Sequence, residues 1–322
     1  MTSGTVVLHA DDYGMNSVVN RGIVRAFREG LLTSTSLLAN APAAEVACSE
    51  WLQLLAEYRE ATLPSLKIRR ELDEPPLPFD LGIHLNLTQG RPLTEDRYPT
   101  ELLDHNGCFP GIGVLFRRLM FAKPQVLDAV SFELKTQIEW MCDRGLRPTH
   151  LNGHQYVELI PAITALIPNL LQRYSIPVIR VACESGLNQT VLLQGQVLAW
   201  SLAFVKRYFA TKFRRSMQAA HVVFPDRFFG TAHAGRVDRA TLSRFLSRAT
   251  HGGITEIGLH PGTTPRDVET SAEDVPELFG PEWFDPLANL REHELSWLCC
   301  PTLRDEFVER QLQLGRLQSL TS

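Results

Sequence analysis

The sequence predicts one α/β domain with the architecture of an irregular, TIM-like (β/α) barrel. Short apolar runs alternate with longer segments of helical periodicity along most of the 322 residues, and this alternation is typical of a parallel sheet connected by helices. About seven such units in a chain of this length favour a closed or nearly closed barrel over an open sheet. Neither a G-x-G-x-x-G after the first strand nor a G-x-x-x-x-G-K-[ST] motif is present, which argues against dinucleotide-binding and P-loop folds.

Each predicted strand is a short apolar run, and each predicted helix is a longer segment in which apolar residues recur at helical spacing. Val18, Val19, Ile23 and Phe27 show this spacing, and Gly30 ends their helix. The predicted strands are residues 5–10, 34–39, 80–87, 149–152, 177–182, 221–224 and 254–259. The predicted helices are residues 17–29, 43–57, 125–144, 158–173, 191–217, 238–250, 288–298 and 306–314.

Two segments depart from the regular alternation within the single domain of residues 1–322. Residues 88–123 are rich in glycine and proline and too long for a simple connection, and such loops are usually functional. Residues 190–218 are predicted as a helical insertion. Its first half is apolar and includes Trp200, and its second half is basic and includes Arg215. This helix either lines a lipid tail or rests on an anionic membrane surface, or it is a core helix with a solvated basic end. Its apolar run is too short to span a bilayer.

Composition and charge argue against several classes of partner. The net charge is −4 and no basic run is interleaved with aromatic residues, so no nucleic-acid partner is expected. None of the six cysteines forms a C-x-x-C pair, which argues against a zinc ribbon or a disulfide framework and indicates reduced thiols in a cytosolic protein. The N-terminus lacks the basic and apolar regions of a signal peptide, so a cytoplasmic location is expected.

Five predicted strands carry polar side chains at or near their carboxyl ends, which is where active sites lie in such barrels. These side chains are Asp11, Asp12, His84, His150, His154, Arg180 and His260. A single strand-end histidine is more often structural, whereas five converging ends are much harder to assign to chance. Among the other histidines, His9 shares a strand face with Asp11.

A bound metal ion explains why two acids are adjacent at the end of an apolar strand. One carboxylate and two imidazoles make a facial ligand set with open positions for water and substrate, and Asp12, His84 and His154 suit that role. Asp11 would then act as general base on a water or orient the imidazole that does. His260 would protonate a leaving group from the opposite side, and the whole set describes hydrolysis of an amide or ester.

The two adjacent acids also pose a geometric problem. Neighbouring residues in a regular strand point to opposite faces, so Asp11 and Asp12 share one site only if the strand ends or bends there. Gly14 allows such a bend. The structural alternative to a metal site is that Asp12 or Asn16 merely caps the following helix.

Five segments of the chain resemble, in order and in spacing, the YdjC-like family of carbohydrate deacetylases, which includes chitooligosaccharide deacetylase. They are ADDYGMN, GLLTSTSLLAN, GIHLNLTQGRPL, THLNGHQYV and EIGLHPG. The resemblance implies an irregular (β/α) barrel that removes the N-acetyl group from an acetylated amino sugar with one divalent metal ion, Mg²⁺ first and Zn²⁺ as the alternative. It implies that Asp12, His84 and His154 bind the metal, that Asp11 is the catalytic base and His260 the catalytic acid, and that the protein is a homodimer.

A further segment, VVFPDRFFGTAHAGRV, is similar to the hopanoid-biosynthesis-associated branch of the family. This similarity implies a substrate with an N-acetylglucosaminyl group on a polycyclic lipid, and a cytoplasmic protein in peripheral contact with the inner membrane. One local departure is that Gln155 and Tyr156 stand where some relatives carry further histidines. The substrate-facing chemistry is expected to differ there.

The leading hypothesis is a metal-dependent N-deacetylase in which Arg180 orients Asp11 or binds sugar hydroxyls. A chitooligosaccharide is the alternative substrate to the glycosylated hopanoid. A non-haem iron oxygenase is a second alternative, because two histidines and one carboxylate also suit Fe(II), although an all-β sandwich would be expected there. A non-catalytic sugar- or lipid-binding protein is a third, and the presence of both Asp11 and His260 argues against it.

Overall fold

The fold is built around a curled sheet of parallel strands. The computed structural model describes residues 4–60, 79–184, 197–249, 252–264 and 282–321. Within these ranges the strands are β1 (Thr5–Tyr13), β2 (Ser34–Leu37), β3 (Asp80–Leu85), β4 (His150–Gly153), β5 (Val178–Ile179), β6 (Arg227–Phe229), β7 (Ile254–Leu259) and β8 (Gln313–Leu314). The helices are α1 (Ser17–Arg28), α2 (Ala44–Glu60), α3 (Ile112–Leu119), α4 (Pro124–Asp143), α5 (Pro161–Thr164), α6 (Ile167–Tyr174), α7 (Val197–Ala219), α8 (Arg239–Ala249), α9 (Arg291–Leu298) and α10 (Thr302–Glu309).

The paired strands run parallel, in the order β5-β4-β3-β2-β1-β7-β6, with β8 added to β1. β1 pairs with three strands, and β7 pairs with it along residues 5–10. The opposite edge of β1 is shared by two strands, because Val6 O accepts from Gly315 N and Leu8 O accepts from Thr33 N. On this edge of β1, β8 therefore pairs with the amino-terminal half of the strand. β2 pairs with the carboxyl-terminal half.

The sheet curls toward closure without becoming a full barrel. In the described ranges one isolated bridge, between Val178 and Val223, joins β5 to the segment before β6. The N–H of Ile179 donates to Val223 O across this seam at 3.0 Å. β5 and β6 are two and three residues long, which is too short for a ladder between the two edges. The predicted TIM-like barrel is therefore corrected to an α/β domain with a curled, half-barrel parallel sheet.

Several predicted elements are divided differently in the structure. The predicted helix at 158–173 is broken because Pro161 and Pro168 each lie in the first turn of a new helix, where a missing N–H costs nothing. The strand predicted at 221–224 contributes the bridge at Val223, and the ladder with β7 begins later, in β6. The prediction of a helix at 306–314 was wrong for the last residues of this range, because Gln313–Leu314 form β8.

The two unusual segments contain regular structure. Residues 88–123 include α3 and two 3₁₀ turns, and Tyr98 and Phe109 of this segment are buried. Of the helical insertion predicted at 190–218, α7 is described, whereas residues 190–196 lie outside the described ranges. No described helix is long and apolar enough to cross a membrane. All six cysteines are free thiols.

The outer face of the sheet forms the apolar core with the helices. Val6, Leu8 and Ala10 alternate along β1 and pack in this core with Ile23 of α1, as expected for a strand whose neighbouring side chains point to opposite faces. Asn16 caps α1, since its Oδ1 accepts from the N–H of Val19 at 2.9 Å. The cap is thus supplied by Asn16, which leaves the carboxylate of Asp12 for another role.

The inner face of the sheet is polar, although the interior of a TIM barrel is usually filled by branched apolar side chains. The buried polar residues at alternate positions of the inner face are His9, Asp11, Ser34, Ser36, Asp80, His84, His150, Asn152 and Glu256. A small apolar cluster of Val7, Val178 and Leu317 lies beside the amino end of β1. The sheet therefore surrounds a column of buried polar groups that leads to its carboxyl end.

Gly82 of β3 shows how closely this interior is packed. A Cβ at this position would lie 2.3 Å from Nε2 of His150. The His150 ring is in turn held by Thr149 Oγ1, 2.9 Å from Nδ1, and by His9, whose ring lies edge-on at a centroid distance of 4.9 Å. The absence of a side chain at Gly82 makes room for His150.

We expect Gly82→Ala to lower the free energy of unfolding by about 1–3 kcal/mol, because the His150 ring has to leave its hydrogen bond and its packing. Denaturant titration followed by circular dichroism measures this loss. Gly113→Ala in α3 is the matched control, since a Cβ there meets no atom within 4 Å, and it should be neutral or stabilising by up to about 1 kcal/mol. Equal effects of the two substitutions would contradict the packing argument.

Candidate active site

A β-bulge at the end of β1 brings the two adjacent acids to one side of the strand. The pairing with β2 runs from Ala10 opposite Thr35 to Tyr13 opposite Leu37, so β1 has one extra residue in this interval. Within it, Asp12 adopts a left-handed conformation with φ 70°. Aspartate tolerates this region better than most residues, and bulges commonly redirect a side chain beside an active site. The bend predicted from Gly14 therefore begins two residues earlier, at Asp12 itself.

Asp12 faces the two histidines that the sequence predicted as its partners. Its Oδ1 lies 3.6 Å from Nε2 of His84 and 3.8 Å from Nε2 of His154, and the two rings are edge-to-face at 5.7 Å. Its Oδ2 accepts a hydrogen bond from Arg291 Nη2 at 2.7 Å. All four side chains are buried. One carboxylate oxygen is thus held by an arginine while the other faces two imidazole nitrogens.

Hydrogen bonds around His154 determine which of its nitrogens carries a lone pair. The Asn86 amide is oriented by donation to Gln89 O and by acceptance of the Thr88 N–H at Oδ1. The Thr88 hydroxyl lies 3.1 Å from that Oδ1 and therefore donates to it. Thr88 Oγ1 must then accept from Nδ1 of His154, 2.8 Å away. Nε2 of His154 is consequently an acceptor that faces the carboxylate of Asp12.

An acceptor nitrogen and a carboxylate that face each other repel, because both present lone pairs, and a cation between them would remove the repulsion. Ligand atoms that bind one divalent ion at about 2.1 Å lie roughly 3.0–3.4 Å apart, so the gaps of 3.6 and 3.8 Å at Asp12 are slightly wide. Correspondingly, no group of three or more His, Cys, Asp or Glu side chains in the described part of the chain is arranged to hold a metal as it stands. Nδ1 of His84 is buried without a hydrogen-bond partner. The residue types and the lone pair on Nε2 of His154 fit a divalent ion after a contraction of a few tenths of an ångström.

Asp11 has a separate set of partners from Asp12. Its Oδ2 accepts from Arg180 Nη1 at 2.7 Å, and its Oδ1 accepts from Asn152 Nδ2 at 2.9 Å. Nε2 of His9 lies 3.2 Å from the same Oδ1. Nε2 of His260 lies 3.8 Å from Oδ2. The structure therefore brings together Asp11, Arg180 and His260, as the sequence predicted, and adds His9 and Asn152.

Arg180 is a buried cation between two buried acids. Besides Asp11, it pairs through Nε with Glu256 Oε1 at 2.7 Å, and its guanidinium lies 5.0 Å from the Phe228 ring centroid. Glu256 alternates with Gly258 and His260 along β7, so it points to the same interior. Two acids share one guanidinium in this arrangement, which fixes Asp11 in place.

His260 is placed by a glutamate from a helix remote in sequence. Its backbone N–H donates to Glu294 Oε2 at 2.6 Å, and the N–H of Val237 donates to Glu294 Oε1 at 3.0 Å. Burial raises the pKa of Glu294 to about 7. One α9 side chain thereby joins the loop after β6 to the end of β7 and sets the position of the imidazole beside Asp11.

The pKa shifts of the site follow from burial and from the two arginines. Burial alone would raise the pKa of Asp11 and of Asp12, but the charges and hydrogen bonds around each group together outweigh it and hold both pKa values well below the usual range, with Arg180 the largest lowering contribution at Asp11 and Arg291 at Asp12. Burial lowers the pKa of His154 to about 4 and also lowers the pKa of His260. Near neutral pH the two carboxyl groups are therefore ionised and these two imidazoles are neutral.

His84 behaves differently from the other site histidines. Burial disfavours its charged form, yet the negative charges of Asp11 and Asp12 outweigh burial and raise the pKa of His84. The potential that favours a proton on His84 also attracts a divalent cation to the same place. This electrostatic result supports a cation site at Asp12.

Four residues of the site were not found from the sequence. The sequence contained a signal for Asn152 and Glu256. Asn152 lies two residues from both His150 and His154, and Glu256 lies four residues from His260, so each is expected on the same strand face as a predicted site histidine. Arg291 and Glu294 had none, since they are ordinary positions of a helix whose docking is tertiary. His150, predicted near a strand end, instead lies deep in the interior, 3.8 Å from Asp80.

The departure at Gln155 and Tyr156 has a structural consequence. Both residues have positive φ, 51° and 62°, so the chain turns sharply after His154. Lys206 of α7 places Nζ 3.4 Å from the Tyr156 ring centroid. This contact brings the insertion helix against the turn that follows a predicted metal ligand.

Comparison with known proteins identifies the family of the chain. The model of a family described as YdjC-like protein matches residues 5–309. The chain belongs to this YdjC-like family. Carbohydrate deacetylases of Mus musculus and Homo sapiens are each 30% identical to the YdjC-like chain over 98% of its length, and the matches cover 95% and 91% of theirs. The carbohydrate deacetylase of Geobacillus stearothermophilus is also 30% identical, over 96% of the chain and 94% of its own length.

A solved structure has the same fold as this YdjC-like chain. It is a protein of Enterococcus faecalis V583 described as a candidate cellobiose-phosphate cleavage protein, with a TM-score of 0.68, 19% identity and coverage of 99% of both chains. At this identity the likeness shows the fold alone. The names of the curated relatives support a hydrolase of the carbohydrate deacetylase class.

Glu158, four residues after His154, generates a prediction about pH and stability. It is fully buried, neither carboxyl oxygen has a hydrogen-bond partner on another residue, and burial raises its pKa to about 7. The folded protein therefore retains a proton that the unfolded chain releases near its ordinary value of 4.5. The free energy of unfolding must accordingly fall as pH rises from about 4.5 to 7.

We expect Glu158→Gln to remove this pH dependence. The free energy of unfolding of the variant, relative to that of the parent, should therefore rise by about 1–3 kcal/mol from pH 5 to pH 8. Denaturant unfolding at both pH values measures the gain. Glu133→Gln is the contrasting control, because the Glu133 carboxylate accepts from the N–H groups of Leu93 and Thr94 and from the Thr94 hydroxyl, and its loss should destabilise. A pH-independent difference for Glu158→Gln would contradict the assignment.

Proposed function

We propose that this protein is a metal-dependent hydrolase that removes the N-acetyl group from an N-acetylglucosamine-type sugar. The observation that carries the proposal is the division of the two adjacent acids between different partners. Asp12 faces two imidazoles, and Asp11 faces an arginine and a third imidazole. The proposed cation site and the proposed proton-transfer site would thus lie side by side at the carboxyl end of the sheet, where active sites of such folds are found.

Asp12, His84 and His154 would hold the metal. Such an ion acts as a Lewis acid on the acetyl carbonyl and lowers the pKa of a water. Two imidazole nitrogens suit Zn²⁺ or another transition metal better than Mg²⁺, which prefers oxygen ligands. Binding of both Zn²⁺ and Mg²⁺ should therefore be measured.

Asp11 and His260 would carry the proton. Asp11 is ionised and His260 neutral before the reaction, and 3.8 Å separates their nearest side-chain atoms. We propose that Asp11 accepts the proton of the attacking water and that His260 passes it to the leaving nitrogen as the C–N bond breaks. Asp11 hands this proton to His260 and His260 hands it to the nitrogen, so the products are acetic acid and the free amine, which end as acetate and ammonium near neutral pH, and both residues regain their starting protonation states.

Arg180 would act on Asp11 rather than on the sugar. Its Nη1 and Nε are already bound to Asp11 and Glu256, and the whole side chain is buried. Of the two roles open from the sequence, orientation of Asp11 is thus the one that these contacts support. Arg180 is the largest contribution to the low pKa of Asp11, which keeps this carboxylate ionised near neutral pH.

The surface of α7 supports a second candidate substrate, an N-acetylglucosaminyl group on a hopanoid-type lipid. Val205 and Tyr208 are exposed, and Lys212 Nζ lies 4.6 Å from the Tyr208 ring centroid. Phe209 packs on Phe116 of α3, ring to ring at 5.2 Å. An exposed apolar and basic helix face suits a lipid or an anionic membrane surface in peripheral contact.

We expect Asp12→Ala and His154→Ala to lose metal binding and acetate release together, because each removes a ligand. Asp11→Asn should retain metal binding and lose acetate release by about 10²–10⁴-fold, because it removes a proton acceptor. Calorimetry with Zn²⁺ and Mg²⁺ and an acetate assay on triacetylchitotriose and on a glycosylated hopanoid measure both properties.

Three outcomes would contradict the proposal. Full deacetylation by Asp12→Ala or His154→Ala would exclude the metal site. Binding of an acetylated sugar with no acetate release by the metal-loaded parent protein would favour a binding protein. Activity that requires oxygen would favour the oxygenase, whereas a deacetylase works without oxygen and fails with a chelator.

The hydrogen bond from His154 to Thr88 gives a sharper test of the ligand set. Thr88→Val should weaken metal affinity by about 10–100-fold, because Nδ1 of His154 loses its acceptor and the ring loses its fixed tautomer. Thr88→Ser keeps the hydroxyl and is the matched control, with affinity near that of the parent. Metal titration in calorimetry checks both variants, and an unchanged affinity in Thr88→Val would exclude Nε2 of His154 as a ligand.

A further inference from the structure

We propose that the segment 282–285 and the loop 89–91 form an outer sugar subsite. In this subsite the ring of Phe284 stacks on the pyranose next to the acetylated one, and the Arg91–Glu282 ion pair binds its hydroxyls. The inference rests on the proposed deacetylase function and deepens it, since it assigns an oligosaccharide rather than a single sugar to the site.

The side chains of this segment alternate between buried and exposed. Trp283 is buried against Gly90, where a Cβ would lie 2.5 Å from the indole Nε1. The side chain of Asp285 is 5% exposed and pairs with Arg291. Phe284, between them, is 73% exposed. The two inward neighbours force the Phe284 ring outward.

Hydrogen bonds fix the backbone that carries Phe284. The N–H of Gly90 donates to Glu282 O at 3.0 Å, and Nε2 of Gln89 donates to Phe284 O at 3.0 Å. Gly90 has φ 71°, a conformation that favours glycine. The ring is therefore presented from a fixed position and its exposure does not result from a loose chain end.

The same segment is connected to both parts of the proposed metal site. Arg291 joins Asp285 to Asp12, with distances of 2.7 Å on each side. Gln89, which holds Phe284, follows Thr88, the hydrogen-bond partner of His154. The backbone that carries Phe284 is thus connected to Asp12 through the side chains of Asp285 and Arg291.

The polar groups beside Phe284 suit sugar hydroxyls. Arg91 Nε donates to Glu282 Oε1 at 2.8 Å, and the two side chains are 56% and 38% exposed. A guanidinium offers several planar donors and a carboxylate several acceptors, so the pair can bind adjacent hydroxyls. The C–H face of a pyranose is apolar and flat, and an exposed aromatic ring is the surface that would cover it.

The test is calorimetric binding of N-acetylglucosamine and of triacetylchitotriose to the metal-loaded Asp11→Asn protein, which does not consume them. We expect the trisaccharide to bind at least about tenfold more tightly than the monosaccharide. Adding Phe284→Ala should remove most of this advantage and leave monosaccharide affinity unchanged, whereas Phe284→Tyr should retain it. Phe121→Ala, at another exposed phenylalanine, is the matched control and should change neither affinity.

The outcomes separate this inference from the proposed function. Equal affinities of the two sugars for the Asp11→Asn protein, or an undiminished trisaccharide advantage in Phe284→Ala, would overturn the outer subsite while deacetylation still stands. A loss of affinity for both sugars in Phe284→Ala would assign the residue to the shape of the site and overturn stacking. Failure of both sugars to bind the Asp11→Asn protein would overturn the proposed substrate class and this subsite with it.

Discussion

The buried guanidinium of Arg180 is the contact on which the arrangement of the site depends. It lies between Asp11 and Glu256, each at 2.7 Å, and all three side chains are buried. Taking a buried charge away from its partners costs about 3–5 kcal/mol, because the remaining charges are left uncompensated. With Arg180 in place, the sheet can enclose acids and histidines where a barrel would normally enclose apolar side chains. Arg180 directly follows β5, a strand of only two residues, so this charge pair lies beside the edge strand whose Val178 forms the isolated bridge to Val223.

The second arginine, Arg291, performs a parallel task for Asp12. It comes from a helix near the carboxyl end of the chain and neutralises the acid that Arg180 does not reach. Each adjacent acid therefore has its own cation, which answers the repulsion expected between Asp11 and Asp12. The bulge in β1 makes this division possible, since it turns Asp12 toward the histidines while Asp11 stays in register with His9. Strain at one aspartate, of order 1–3 kcal/mol, is offset by these pairs.

The candidate site was largely predictable from strand ends. Asp11, Asp12, His84, His154, Arg180 and His260 converge as expected, because the carboxyl ends of parallel strands must meet at one edge of the sheet. The partners that tune these residues were less accessible. Period-two alternation could have shown Asn152 and Glu256, whereas Arg291, Glu294 and the Thr88 hydroxyl act through contacts between segments far apart in sequence. The barrel prediction failed at the seam, where the lengths of β5 and β6 depend on pairing and not on their apolar runs.

By itself the sequence determined the α/β class, the order of most strands and helices, and the six residues at the strand ends, because hydrophobic periodicity and strand polarity are local properties. The tertiary structure alone decided how far the sheet closes, which nitrogen of His154 faces Asp12, and which cation neutralises each acid. These are set by hydrogen bonds and ion pairs between distant segments, and their energies depend on distances of a few tenths of an ångström. The exposure of Phe284 belongs to the same group, since the burial of the two neighbouring side chains is what leaves its ring exposed.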